Sequence, residues 1–147
     1  MEDPRLPSLR AAQHALRSRF NDFRAALERR DEAAYRVAID DFVAQLRRWT
    51  AAEEKTLLPA LLRAPIENRD TQRELRLEFV QLRELGRFLL EQLTRSAPLS
   101  DVLGLVENLD RRLAAHESEL DSVYFEAAAS VLRDDEWKAL LESAPSN

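Results

Sequence analysis

Residues Trp49 to Pro59 read Trp-Thr-Ala-Ala-Glu-Glu-Lys-Thr-Leu-Leu-Pro, and this stretch decides how the chain is expected to fold. Glu53 lies in its middle, near the centre of an apolar stripe that repeats with the period of an α-helix. Carboxylates are rarely buried unless they are paired or bound to a metal. We therefore predict a helix that carries an acid into the core. The stripe consists of Tyr35, Ile39, Phe42, Val43, Leu46, Leu57, Ala60 and Leu61.

A second stretch, residues 116–125, reads His-Glu-Ser-Glu-Leu-Asp-Ser-Val-Tyr-Phe and places a histidine on another apolar stripe. His116 is in phase with Val102, Leu105, Leu109, Leu113, Leu120, Val123 and Ala127. One helix thus supplies an acid to the core, and another supplies an imidazole. We expect Glu53 and His116 to hydrogen-bond to each other, with Gln13, Thr50 or a buried water as further partners.

The composition favours helices throughout the chain. It has 147 residues and only two glycines, whereas all-β proteins and phosphate-binding loops need many more. Ala, Leu, Arg and Glu dominate, and they are strong helix formers. A chain of this length is expected to form one domain, residues 1–147. The absence of cysteine excludes disulfides, thiolate metal sites, iron–sulfur clusters and cysteine nucleophiles.

Proline-containing and polar segments divide the chain into four long helices and a short one. The predicted helices span about 8–30, 32–62, 70–96 and 100–132, followed by a short C-terminal helix at about 134–143. Short connections favour an antiparallel up-down-up-down four-helix bundle. The third helix is expected to turn a purely apolar face to the core and to leave Glu78 on its solvated face. The apolar face consists of Leu75, Phe79, Leu82, Gly86, Leu89 and Leu93.

The charge pattern argues against nucleic-acid binding, and the hydropathy argues against a membrane protein. The net charge is −5, with acids and arginines interspersed rather than grouped in basic blocks. No apolar run approaches the ~20 residues of a membrane span, and the acidic start, Met-Glu-Asp-Pro, lacks a signal-peptide pattern. We expect a cytoplasmic protein with an unidentified protein partner, either a monomer or a homodimer. No exposed apolar stripe that would require dimerisation is evident.

Two copies of one motif stand on the second and fourth helices. The first reads Trp49-x-x-x-Glu53-Glu54-x-x-Leu57-Leu58-Pro59, and the second reads His116-x-x-x-Leu120-Asp121-x-x-Tyr124-Phe125-Glu126. Residues 78–83, Glu-Phe-Val-Gln-Leu-Arg, form a third motif. Together they resemble the hemerythrin-like family, the HHE cation-binding domains, over about residues 6–143. The family patterns are His-x-x-x-Glu-Glu and Glu-His-x-x-Leu-Arg. The resemblance implies a four-helix bundle that holds a non-haem di-iron centre.

The resemblance transfers few metal ligands to this chain. Glu53 and His116 match ligand positions directly. Asp121 matches a position that some members use, and His14 lies one residue away from the first-helix position. The remaining ligand positions hold Gln13, Trp49, Phe79 and Leu120. An oxygen-binding di-iron centre needs about five imidazoles, whereas the chain has two histidines, so the di-iron site is expected to be lost.

The resemblance and the reduced ligand set lead to two alternative functions. The first is a hemerythrin-like protein with a degenerate metal site, which acts as a non-enzymatic binding or regulatory module without a cofactor. The second is a protein that binds a single Fe or Zn ion, or senses oxygen, nitric oxide or iron, through residual ligands. Those ligands would be Glu53, His116, Asp121 and His14. Acid–base catalysis by a Glu and His pair is less favoured, because short-looped helices offer no obvious substrate cleft.

Overall fold

The computed structural model describes residues 3–64 and 69–146, and every regular element in these two ranges is helical. The elements are α1 (Leu6–Glu28), α2 (Glu32–Arg63), α3 (Arg69–Thr94), α4 (Leu99–Glu119), a π-helix (Leu120–Tyr124), α5 (Phe125–Ala129) and α6 (Asp134–Glu142). The predicted all-α class is confirmed. Most of the predicted connection between α2 and α3, residues 65–68, lies outside the described residues. Within the described ranges, no helix combines the length and the apolar character that a bilayer crossing needs.

The ends of the helices follow local backbone chemistry. α1 begins at Leu6 rather than near residue 8, because Pro7 lies in the first turn, where a helix needs no backbone N–H donor. α2 begins after Asp31, whose side chain accepts a hydrogen bond from the Ala34 N–H at 3.2 Å. All predicted helix ends agree with the observed ends to within three residues, if α4, the π-helix and α5 are taken together.

The inner stripes of the long helices form one hydrophobic core, as predicted. The buried stripe residues include Ile39, Phe42, Val43, Leu46, Leu57, Ala60 and Leu61 of α2, Leu75, Phe79, Leu82, Leu89 and Leu93 of α3, and Val102, Leu109 and Leu113 of α4. Tyr35 and Leu105 are partly buried against this core. Gly86 allows α2 and α3 to approach closely, because a Cβ atom there would lie 3.0 Å from Leu46 Cδ2.

Each long helix packs against the next one along the chain, and α6 packs against α2. α1 also contacts α4 and the π-helix through ion pairs. The pairs are Arg10 with Asp121, Arg17 with Glu117 and Asp110, and Arg24 with Asp110 and Glu107. Because they are partly exposed, such pairs align the helices more than they stabilise them. α1 therefore lies beside both α2 and α4.

The segment after α4 departs from the predicted helix. The backbone N–H of Phe125 donates to the carbonyl oxygen of Leu120, five residues earlier, as in a π-helix. The extra residue in this turn rotates the following side chains relative to the α4 stripe. Val123, predicted to face the core, is 50% exposed, whereas Tyr124 and Phe125 are buried. The prediction for Val123 is therefore wrong, and the single predicted helix at 100–132 comprises α4, the π-helix and α5.

Candidate functional site

Glu53 on α2 and His116 on α4 are both buried, with 1% and 4% of their surface exposed. The predicted hydrogen bond between them is not formed. Glu53 Oε2 and His116 Nε2 both lack a hydrogen-bond partner among the described residues. The Thr50 hydroxyl donates instead to a backbone carbonyl oxygen one turn earlier, at 2.6 Å. Gln13 Nε2 donates to the Glu117 carbonyl oxygen at 3.4 Å, so neither side chain completes the expected pair.

The partner of His116 is Glu78 on α3. His116 Nδ1 lies 2.9 Å from Glu78 Oε1. Burial raises the pKa of Glu78, but hydrogen bonds with His116 and Glu119 outweigh burial and lower that pKa overall. If the Nδ1 proton is donated to this carboxylate, the lone pair of the neutral tautomer lies on Nε2. The prediction that Glu78 belongs to a solvated face is therefore wrong, because its carboxylate is partly buried against His116.

Glu119 and Tyr124 extend this contact into a polar cluster, which we define as Glu78, His116, Glu119 and Tyr124. Burial and a hydrogen bond with Glu78 raise the pKa of Glu119 to about 7. The Tyr124 hydroxyl donates to Glu119 Oε1 at 3.4 Å, a long hydrogen bond. Burial and the charge of Glu119 raise the pKa of Tyr124 to about 12. Of these two carboxyl groups, Glu119 therefore keeps its proton to the higher pH.

The surroundings of Glu53 disfavour its ionised form. Burial raises the pKa of Glu53 well above its ordinary value, and the nearby charge of Glu117 raises it further. Burial also raises the pKa of Glu117, although Arg17 Nε lies 3.1 Å from its carboxylate and opposes that shift. Burial thus favours the protonated carboxyl, and Glu53 Oε2 forms no hydrogen bond with the described residues.

His14 and Asp121, predicted as further ligands, lie on the surface. His14 is exposed on α1, as its helical phase indicates. Asp121 is exposed on the π-helix, and its Oδ1 lies 2.6 Å from Arg10 Nε. The structure therefore brings neither residue into the core beside Glu53 and His116.

The remaining ligand positions that the resemblance predicts, residues 13, 49, 79 and 120, mostly hold apolar side chains. Trp49, Phe79 and Leu120 are buried in the core, with at most 1% of their surface exposed, and Gln13 is partly buried. Phe79 packs edge-on against His116, with ring centroids 5.0 Å apart and an angle of 78° between the rings. These side chains occupy the volume that a pair of metal ions and their ligands would need. The residues present therefore do not fit a di-iron centre.

A single metal ion fits the donor chemistry only in part. His116 Nε2 and Glu53 Oε2 are suitable donors for Fe or Zn, and the Glu78 contact at Nδ1 is the usual orienting partner of a metal-bound histidine. Among the side chains that the structure describes, in residues 3–64 and 72–146, no three or more of His, Cys, Asp or Glu are grouped to hold a metal ion. Any third ligand would have to come from movement of a neighbour or from water.

Glu78 and Glu119 are the site residues that sequence reasoning missed. Glu78 precedes the inward-facing Phe79, so it lies at the edge of the inner face, where a carboxylate can reach a buried imidazole. That position was a usable signal. Glu119 and Tyr124 are five residues apart and would point in different directions on an α-helix. Only the π-helix brings them together, and 3.6-residue periodicity does not reveal a π-helix.

Comparisons with known proteins do not identify the chain. It matches no protein-family model, no curated protein and no solved structure at a significant level. The hemerythrin-like resemblance therefore rests on the three motifs alone and stays a prediction. What the structure adds is the helical architecture and the arrangement of the buried polar groups.

Proposed function

We propose that this chain is a hemerythrin-like four-helix bundle that works as a non-enzymatic binding or regulatory module without a di-iron centre. Its interior would serve as a stable scaffold, and its surface would contact a protein partner. A cytoplasmic location remains part of this proposal. The support comes from the direction of the helix contacts and from the side chains that fill the ligand positions.

The contacts between helices support an up-down-up-down arrangement. Along α1, rising residue numbers meet falling numbers on α4 and its extension, from Arg10 with Asp121 to Arg24 with Glu107. The pairs between α3 and α4 and between α2 and α3 follow the same rule. They are Glu78 with His116, Gln81 with Arg112, Glu54 with Arg83, and Leu46 near Gly86. Opposed numbering of this kind is expected of antiparallel neighbours in a four-helix bundle.

The observation that carries the functional proposal is the burial of Trp49, Phe79 and Leu120 at the former ligand positions. Each side chain is large and apolar, and Phe79 packs directly on the one buried imidazole of the described core. Apolar packing of this kind stabilises a bundle, whereas a metal centre requires polar donors and room for water. The interior is therefore better suited to holding the fold than to binding oxygen.

The unpartnered atoms His116 Nε2 and Glu53 Oε2 favour a second candidate, a protein that binds or senses a single Fe or Zn ion. Glu78 would orient the imidazole through Nδ1, and Glu53 would have to lose its proton for the ion to bind. Such an ion would supply a site for oxygen or nitric oxide. The family resemblance suggests this role, and the two donors supply its chemical basis.

Metal analysis of the untagged protein distinguishes the two candidates. We expect well below one Fe or Zn per chain by inductively coupled plasma mass spectrometry, and the same melting temperature with and without a chelator. A bound ion would instead stabilise the folded state by mass action, so the chelator would lower the melting temperature. About one ion per chain, lost in Glu53→Gln and retained in the control Asp121→Asn, would establish the metal-binding alternative.

A further inference from the structure

The outward face of α3 carries a second apolar stripe. Leu77, Val80 and Phe88 are 55%, 41% and 43% exposed. At ~100° per residue they fall within about 80° of one another around the helix axis, and they extend over about 16 Å along it. The inner face of the same helix is already buried in the core. α3 therefore has apolar side chains on two faces, and the expectation that no exposed apolar stripe requires dimerisation stays a prediction.

A cationic cleft lies on the α2 side of this stripe. Its volume is about 730 Å³, and its arginines are Arg47 and Arg48 of α2 and Arg83 and Arg87 of α3. The other lining residues are Ala44, Ala51 and Glu84. The two alanines leave the space between the helices open, because their side chains are too short to fill it. The cleft therefore presents guanidinium groups around a recess rather than on a flat surface.

A smaller, more apolar groove lies on the α4 side of the stripe. Its volume is about 380 Å³, and Val80, Leu85 and Phe88 line it together with Arg112 of α4. Glu84 and Arg87 line both this groove and the cationic cleft. The outward face of α3 thus forms a ridge between the two recesses. It carries Leu77, Val80 and Phe88 and the Glu84–Arg87 ion pair, with further arginines on both sides.

Several of these arginines have no carboxylate partner among the residues that the structure describes. The Arg47 side chain makes no hydrogen bond or ion pair with those residues. Arg48 donates to the carbonyl oxygen of Glu142 at 2.7 Å, and Arg112 donates to the Gln81 side-chain oxygen at 2.9 Å. Neither contact neutralises a charge. By contrast, Arg83 pairs with Glu54 at 2.6 Å, and Arg87 pairs with Glu84 at 2.8 Å and with Glu91 at 3.4 Å.

We propose that this surface, the α3 docking face (Leu77, Val80 and Phe88 with Arg47, Arg48 and Arg112), binds an acidic amphipathic helix of a partner protein. Apolar side chains of that helix would cover the ridge at i, i+3/i+4 and i+7 spacing, a common mode of helix recognition. Its Asp and Glu side chains would meet the arginines on both sides. Charge complementarity of this kind sets the orientation of the partner and speeds association.

The same charges disfavour a second copy of this chain as the occupant. A two-fold axis through the ridge would bring Arg47 and Arg48 against the same residues or against Arg112 of the other copy. Like charges at such an interface oppose association. The chain as a whole carries a net charge of −5, so a cationic face is a local feature suited to an acidic partner.

This inference rests on the proposed binding role and names the class of partner. Its test does not depend on metal. The probe is a fluorescein-labelled peptide of about three heptads, with Leu at the a and d positions and Glu at the e and g positions. Fluorescence anisotropy should give saturable binding to the wild-type protein. A matched peptide with Lys in place of every Glu should bind about tenfold more weakly or worse.

Two pairs of variants locate the binding surface. Arg47→Glu and Phe88→Ser should each weaken binding of the acidic peptide about tenfold. The control Arg29→Glu makes the same charge change at the end of α1, and Leu103→Ser removes an exposed apolar side chain from the side of α4 opposite to Arg112. Neither control should change the affinity. Circular dichroism verifies that all four variants stay folded, and the Lys-peptide comparison needs no variant at all.

Several outcomes would overturn the proposal. One is equal binding of the two peptides, and another is wild-type affinity in Arg47→Glu and Phe88→Ser. A third outcome is that neither peptide binds, while light scattering shows a dimer that Phe88→Ser dissociates. That result would assign the face to a second copy of the chain. A fourth outcome is that neither peptide binds, while the protein cosediments with phosphatidylserine vesicles and loses this binding in Arg47→Glu and Phe88→Ser. That result would assign the face to a membrane surface. The metal analysis tests the non-metal scaffold separately, so the two failures are distinguishable.

Discussion

Two parts of the interior both include residues of α2 but are stabilised in different ways. The aromatic cluster, Phe20, Phe23 and Phe42, is fully buried, with ring centroids 5.1 Å apart for Phe20 and Phe42. About three turns further along α2, Glu53 is equally buried, but its carboxyl oxygen Oε2 has no hydrogen-bond partner among the described residues. In the first part, burial alone stabilises the fold. In the second part, the free energy of unfolding depends on pH, because buried carboxyl groups there gain or lose protons.

Truncation in the aromatic cluster should have the largest effect. Phe42→Ala removes a ring from a packed core, so we expect the free energy of unfolding to fall by about 3–5 kcal/mol. Urea denaturation at pH 5 and pH 8 should give the same loss, because no titrating group is involved. The control Val37→Ala, at a position that is 71% exposed, should change stability by less than about 0.5 kcal/mol. A loss at Phe42 as small as that of the control would contradict the comparison.

The polar part should instead show a stability that changes with pH. The pKa of Glu53 is raised in the folded state, so the folded protein binds this proton more tightly than the unfolded chain does. Its stabilising contribution is complete below the ordinary value of 4.5 and is lost as pH rises towards the folded pKa. The free energy of unfolding should fall by up to about 1.4 kcal/mol per pH unit in that window.

Replacement of the acid by an amide should remove the Glu53 part of this dependence, and the raised pKa values of Glu117 and Glu119 should leave a smaller slope. Glu53→Gln should be more stable than the wild type at pH 7 and should show a flatter profile from pH 4.5 upwards, measured by denaturant unfolding with chelator present. Phe42→Ala should keep the wild-type slope and thus serves as the control. A Glu53→Gln protein that is less stable than the wild type at pH 7 would mean that the carboxylate has a partner or an ion.

The smallest expected effect concerns the contact between His116 and Glu78. A double-mutant cycle with His116→Leu and Glu78→Gln should give a coupling energy of about 1 kcal/mol, because a hydrogen bond to a charged group is strong but Glu78 is partly exposed. Glu74→Gln, on an exposed residue one turn earlier, provides the control cycle and should give no coupling. Equal values in both cycles would remove Glu78 as the orienting partner of the imidazole.

The helices and their inner faces could be predicted because burial of an amphipathic helix leaves a 3.6-residue period in the sequence. Leu75, Leu82 and Leu89 of α3 lie in the core as that period requires. The period also places Glu53 and His116 in the core. The period does not show which side chains touch. The expected hydrogen bond between Glu53 and His116 is absent, and His116 is hydrogen-bonded to Glu78 instead.

The prediction for Val123 and the neglect of the outward face of α3 have physical causes that the 3.6-residue period does not reveal. Val123 was misplaced because a π-helix changes the number of residues per turn, and this change also brings Glu119 to Tyr124. The outward stripe of α3 was overlooked because its apolar residues are separated by charged ones. Exposed apolar side chains become informative only when the arginines of α2 and α4 are seen beside them.

The π-helix also contains one extra residue, which could be lost without rotating the side chains that follow it. A π-turn holds one residue more than an α-helical turn, and Asp121, Ser122 and Val123 within it are all exposed. Loss of one of these residues would convert the turn to regular α-helix while Tyr124 and Phe125 kept their orientation towards the core. Elsewhere in the long helices, the same deletion would turn every following core residue by about 100°. We therefore expect this segment to tolerate the loss of one residue better than the α-helical parts of the core do.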